Sequence, residues 1–216
     1  MNLRVFERFP VLTTPRLLLR ELGPKDAEAV LALRRDEEVN RYQSLDAPPT
    51  LEGARAMIAR WRKRFSTRAE IRWAVVTRDD GLFAGTCAYA HFVPWLDRGH
   101  VTYELARRAW GRGLATEALR AMVAFGHGPA GLDRIEAVVV PEHEASVNVL
   151  RKAGFAEEGL LRAYGSWRGQ HHDLRMFSIV RPVMPEVMPE VMPEVIPEVI
   201  PEVSTEVTPE DPPAPP

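Results

Sequence analysis

Cysteine occurs once in the 216 residues, at Cys87, which excludes an intrachain disulfide framework and a cysteine-rich metal site. No apolar run reaches the roughly 18–20 residues that span a bilayer, and the opening MNLRVFERFP lacks the apolar stretch of a secretory signal. The expectation is a cytoplasmic protein with no membrane or nucleic-acid partner. Basic residues are missing from the last stretch, Pro182–Pro216, which holds eight acidic residues and 11 of the 19 prolines. It repeats Met/Ile-Pro-Glu-Val from Met184 to Val203. Proline at that density removes backbone donors and bars helix interiors, and the repeated like charge has nothing basic to pair with. Residues 182–216 therefore read as a disordered, polyproline-II-like acidic tail without a core, either passive or a docking peptide. Without the tail the body, residues 1–181, carries 28 basic against 22 acidic residues. A body of net +6 suits an anionic ligand such as a nucleotide, and a merely soluble surface equally well.

The body alternates strand and helix signals. Leu17 to Leu22 reads as a strand. Pro24 then stands where a helix begins, and Ala27, Val30, Leu31, Leu33 and Arg34 form its stripe. Leu51 to Phe65 is a second helix, apolar on one side and basic around the rest. Ile71–Thr77 and Leu82–His91 flank Asp79-Asp80-Gly81, a hairpin signal, and His100–Ala106 alternates Val101, Tyr103 and Leu105 with Thr102 and Glu104. A helix from about Arg112 to Phe125, a strand Arg134–Val140, a helix Glu142–Ala153 closed by Gly154, and strands 156–162 and 172–180 complete the order. The fold class is α/β of the α+β type: one domain, 1–181, with a mixed, mostly antiparallel sheet flanked by helices.

The most informative segment is Arg108-Ala109-Trp110-Gly111-Arg112-Gly113-Leu114-Ala115-Thr116. Two glycines one residue apart, between a strand and a helix start, allow a tight turn that aims free N–H groups at one point. The helix dipole adds its positive end there, and such a nest binds phosphate oxygens. Arg108 and Arg112 can add charge to its rim. A Walker loop is excluded because Leu114 follows Gly113, and a dinucleotide fingerprint because Thr116 stands where Gly or Ala is required. What remains is Arg-x-x-Gly-x-Gly.

At these residues the chain resembles the GNAT superfamily of N-acetyltransferases, and within it the branch of RimJ/RimL-type ribosomal-protein alanine N-acetyltransferases. Four stretches carry the resemblance, in order from Thr14 to about Arg181: TPRLLLREL, AWGRGLATEAL, GLDRIEAVVVPEHEASVNVLRKAGF and GLLRAYGSWRGQHHDLRMFSIV. The resemblance implies acetyl-CoA as cosubstrate, and a strand pair, His100–Ala106 and Arg134–Val140, that splays apart to admit the pantetheine. It further implies that backbone groups of Leu105, Ala106 and Arg107 meet the pantetheine amides, and the amides from Arg112 to Thr116 the pyrophosphate. In the helix after Pro141 the family's Asn-x-x-Ser stands here as His143-Glu144-Ala145-Ser146, so His143 departs from the usual cofactor contact and Ser146 matches it.

Direct acetyl transfer needs a base for the amine and an acid for the departing thiolate. Glu104 is the expected base, turned by alternation away from Tyr103 and Leu105; His91 and His100 stand next in line. Many superfamily members carry the acid as a tyrosine four residues before the Gly-Phe pair. Leu150 occupies that place, leaving Ser146 as the expected acid and Tyr164 as an unplaced alternative. Cys87, mid-strand without a neighbouring base, reads as a buried apolar residue. His171-His172-Asp173 does not read as a metal site, because adjacent strand residues face opposite ways. The expected function is transfer of an acetyl group to a primary amine, on a protein N-terminus or a small molecule, by a monomer or homodimer. The rival is a catalytically silent acyl-CoA-binding module with a docking tail.

Overall fold

The computed structural model describes residues 1–42 and 50–182. Chain contacts divide it into Met1–Arg181 and Pro182–Pro216, and the tail repeat and residues 43–49 lie outside the described residues. Eight strands form one sheet: β1 (Leu12–Thr13), β2 (Leu17–Glu21), β3 (Ile71–Thr77), β4 (Phe83–Val93), β5 (Arg98–Leu105), β6 (Arg134–Val139), β7 (Ala156–Trp167) and β8 (Gln170–Val180). They lie in the order β1-β2-β3-β4-β5-β6-β8-β7, and every neighbouring pair is antiparallel except β5 with β6. The expected mixed, mostly antiparallel sheet with one parallel pair is thus what the chain builds.

Helices cover both faces. α1 (Ala27–Arg35), α2 (Glu37–Asn40) and α3 (Leu51–Ser66) enclose a core of Leu22, Val30, Leu33, Ile58 and Trp61 against Ala74 and Val76. α4 (Leu114–His127) and α5 (Glu144–Lys152) lie over the larger core on the opposite face. Leu114, Leu119 and Met122 of α4 are fully buried there. At about 1.5–3 kcal/mol per large apolar side chain, that stripe fixes where the N-terminus of α4 points.

Several boundaries differ from the expectation for local reasons. α4 starts at Leu114 rather than near Arg112 because Gly113 is its left-handed N-cap, and α5 starts at Glu144 because His143 caps it in a non-helical conformation. β5 begins at Arg98: Asp97, in the left-handed region after the short turn Pro94–Leu96, closes the hairpin and pairs Val93 with Arg98. The eight residues left between the expected strands Leu82–His91 and His100–Ala106 therefore shrink to a connection of four, 94–97. β7 and β8 outrun their expected lengths because shifts of register at Gly159 and between Leu161 and Gly165 break the period-2 pattern.

Candidate active site

β5 and β6 pair only through Arg98↔Arg134, Gly99↔Ile135 and His100↔Glu136. Beyond His100 they part, and a channel of about 730 Å³ fills the split, lined along β5 from His100 to Leu105 and along β6 from Ala137. Its far end is the glycine turn. Gly111 and Gly113 have φ of +70° and +74°, so both take the left-handed conformation that only glycine adopts readily. The first backbone bond of α4 runs from the Glu117 N–H to the Gly113 carbonyl, and no side chain caps the helix. The N–H groups of Leu114, Ala115 and Thr116 are left without helical partners at the positive end of a 14-residue helix.

The turn is braced from the sheet edge. Glu117 accepts from Arg16 Nε at 2.6 Å, from the Arg16 N–H at 2.9 Å and from the Thr14 hydroxyl at 2.6 Å, while Arg16 Nη1 donates to the Arg112 carbonyl at 2.8 Å. Sequence reasoning assigned Arg16 no role; its only trace was the TPRL string.

The expected backbone contacts are partly occupied. The Ala106 N–H donates to the Ala84 carbonyl at 2.8 Å, which removes it from the expected pantetheine set. By alternation the Leu105 amide faces the split, although its carbonyl already accepts from the Trp110 indole at 2.7 Å. Neither rim arginine hangs free. Arg108 donates to the Phe83 carbonyl, and Arg112 stands 3.9 Å from Asp79. Arg107 pairs with Asp36 at 2.9 Å and ties the turn to the start of α2.

The two faces of β5 present different chemistry to the channel. On the α5 side the Tyr103 hydroxyl donates to the Ser146 carbonyl at 3.1 Å and shares a 2.8 Å hydrogen bond with Ser146 Oγ. Burial pushes the Tyr103 phenol up to about 12, against the opposing effect of the Ser146 bond, so it stays protonated at neutral pH. Sequence reasoning placed Tyr103 correctly across from Glu104 and gave it no function, because nothing local showed that α5 would cross there. His143 stacks on Tyr42 with ring centroids 4.5 Å apart, both lining the channel, and burial holds its imidazole below the usual range.

The opposite face carries Arg98, His100, Thr102 and Glu104 in one column. Glu104, the expected base, is 6% exposed, and its Oε1 is engaged by Arg34 Nη2 and the Thr86 hydroxyl, each at 2.8 Å. Its position corrects the expectation. Four residues of strand, roughly 13 Å, separate it from the apex at His100, and it fastens α1 to β5. Its Oε2 and the Thr102 hydroxyl are buried without partners. The motif His171-His172-Asp173 is structural: His172 stacks on Trp167, and Asp173 accepts from the Ala163 N–H at 2.7 Å.

Residues 16–156 match the family model described as an acetyltransferase (GNAT) domain. The chain belongs to the GNAT acetyltransferase family. The uncharacterized N-acetyltransferase YoaA of Bacillus subtilis (strain 168) is 36% identical over 174 residues, 81% of this chain and 98% of that protein. The uncharacterized N-acetyltransferase p20 of Bacillus licheniformis is 31% identical over 170 residues, 79% of this chain and 96% of that protein. In fold the chain is similar to RimJ of Mycobacterium smegmatis, solved in complex with CoA-disulfide, at a TM-score of 0.73 and 24% identity over 82% of this chain and 88% of that one. As a GNAT enzyme it is an acyltransferase that uses acetyl-CoA as cosubstrate. Its residues fit that molecule: an uncapped helix N-terminus behind two left-handed glycines for the pyrophosphate, and an unpaired strand edge for the amides of the arm. No helix among the described residues is long and apolar enough to cross a membrane.

Proposed function

We propose that this GNAT acyltransferase passes the acetyl group directly to a primary amine, on a protein N-terminus or a small molecule, with both substrates bound together. The observation that supports this most is the split between β5 and β6, which presents a hydrogen-bonded hydroxyl pair on one face and a polar column on the other. The amides of Leu114, Ala115 and Thr116, with Arg112 and Gly113, hold the pyrophosphate. The Leu105 N–H and the Arg107 backbone align the arm, and His143 and Ser146 wall it from α5. The bound acetyl-CoA supplies an activated acyl group; the chain positions it, excludes water and moves two protons. Ser146, hydrogen-bonded to protonated Tyr103, is placed to deliver a proton to the departing sulfur. Glu104 acts as a positioning residue through Arg34.

A covalent route through Cys87 has no support: the thiol is buried, and burial pushes it up to about 12. The test is colorimetric detection of free CoA thiol across a panel of primary amines, with both substrates varied. Intersecting initial-velocity lines are expected. Parallel lines would point to an acetylated enzyme and overturn direct transfer, and no thiol release with any amine would favour the silent acyl-CoA module.

A further inference from the structure

Where β5 and β6 come together, a second cavity of about 330 Å³ opens on the face that carries Thr102 and Glu104. Its polar lining is His91 from β4, Arg98 and His100 from β5, Glu136 from β6 and Tyr164 from β7. The register sets His91, His100 and Glu136 side by side across three strands. His100 and Val138 line both this cavity and the channel, so they form the partition between the two. The glycine turn fixes one end of the cosubstrate, so the acyl end of an elongated molecule running along the split comes to this partition.

The groups around His100 leave its ring available. Glu136 is engaged by Arg134 at 2.6 Å and approached by Arg98 at 3.4 Å. His91 is exposed to solvent, and Tyr164, itself exposed, lines the cavity from β7. Among the described residues the His100 ring makes no hydrogen bond. Arg98 Nε is likewise buried without a partner.

We infer that the second cavity seats the acceptor amine and that His100 is the general base. The inference rests on the direct-transfer reading. As the amine nitrogen bonds to the acyl carbon and the carbon–sulfur bond breaks, a His100 ring nitrogen takes the amine proton. The sulfur receives a proton from Ser146 on the opposite face. Solvent then returns a proton to the Ser146 oxygen, and the His100 imidazolium gives its own up to water beside exposed His91, so that amine and acetyl-CoA leave as amide and CoA thiol with both side chains restored. Burial lowers the His100 pKa and His91 lowers it further, against the pull of Glu136. The imidazole is therefore neutral at pH 7 and ready to accept.

The test uses the full-length enzyme with two probes, L-alaninamide and ethylamine. Histidine-selective NMR of the free enzyme locates the His100 titration, which is expected below the ordinary value of about 6.5. With saturating amine, wild-type kcat is expected to fall on the acid side over the same pH range. His100→Gln should lower kcat about 100-fold and remove that acid limb, while acetyl-CoA affinity by calorimetry stays within two-fold. His100→Asn provides a second replacement against a folding defect. Retention of kcat within three-fold, persistence of the acid limb, or a His100 titration above the ordinary range overturns the assignment. So does failure of the wild type to acetylate either probe while it binds acetyl-CoA. Loss of acetyl-CoA binding by the wild type itself strikes the parent reading instead.

Discussion

Gly113 shows how one backbone angle decides a binding site. At φ +74° any side chain is strained, and an added Cβ would meet Arg16 Nη2 at 3.6 Å, so the space itself is open. Gly113→Asp should thus fold yet place a carboxylate at the uncapped end of α4, where it caps the free N–H groups and repels phosphate. Acetyl-CoA affinity is expected to fall at least 100-fold, about 2.8 kcal/mol, by calorimetry. Unchanged affinity in a folded variant would sink the pyrophosphate assignment. Tyr103 is the second residue whose meaning is local. Tyr103→Phe removes both bonds to Ser146 and should lower kcat roughly 10-fold or more without changing acetyl-CoA affinity beyond a few-fold. Because the hydroxyls form one pair, the double variant with Ser146→Ala should be no worse than the poorer single. Additive losses in that cycle would show that the two act independently.

At the scale of elements, the buried Arg34–Glu104 pair links α1 to the strand that forms one wall of the channel. Arg34 is 2% exposed and its Nε and Nη1 lack partners, so removing its counter-charge leaves a buried cation uncompensated. Glu104→Gln should therefore cost about 3 kcal/mol in urea unfolding while the folded fraction keeps its acid limb. Loss of that limb with unchanged stability would restore Glu104 as the base. The same pair marks where the sequence was legible and where it was not. Alternation placed Glu104 on the right face of β5, and the Val30–Arg34 stripe placed Arg34 on the buried side of α1. Neither pattern can show that two charged residues 70 positions apart meet, because period reports a face and not a neighbour. The glycine turn was readable because its chemistry is contiguous. The apex at His100 was not, since it exists only where β5 and β6 stop pairing. The lengths of β7 and β8 were hidden for a related reason, as bulges shift the alternation on which strand reading depends.

Across the whole molecule, the ionised groups that hold separate elements together share one direction of response to acid. The Asp26 carboxyl is raised by burial but more strongly lowered by Arg20 and the Gly23 N–H, and Glu117 is likewise held down by Thr14 and Arg16 despite burial. Arg175 lowers Glu157, and Arg134 with Ser178 brings Glu158 to about 2. Each carboxyl binds its proton more readily unfolded than folded. The stability they contribute is present above the unfolded values near 4 and is lost as pH falls through the folded ones. The imidazoles of His100 and His143, both lowered by burial, act in the same sense at higher pH, because the unfolded chain protonates them first near 6.5. Acid destabilisation should therefore come in two stages, a shallow loss from about pH 6.5 and a steeper one below about pH 4. Urea midpoints measured from pH 8 to pH 2 would resolve them. His143→Asn should shrink the first stage and leave the second in place. A midpoint unchanged between pH 7 and pH 3 would mean that these pairs carry no weight in holding the sheet, α4 and the hairpin β7–β8 together.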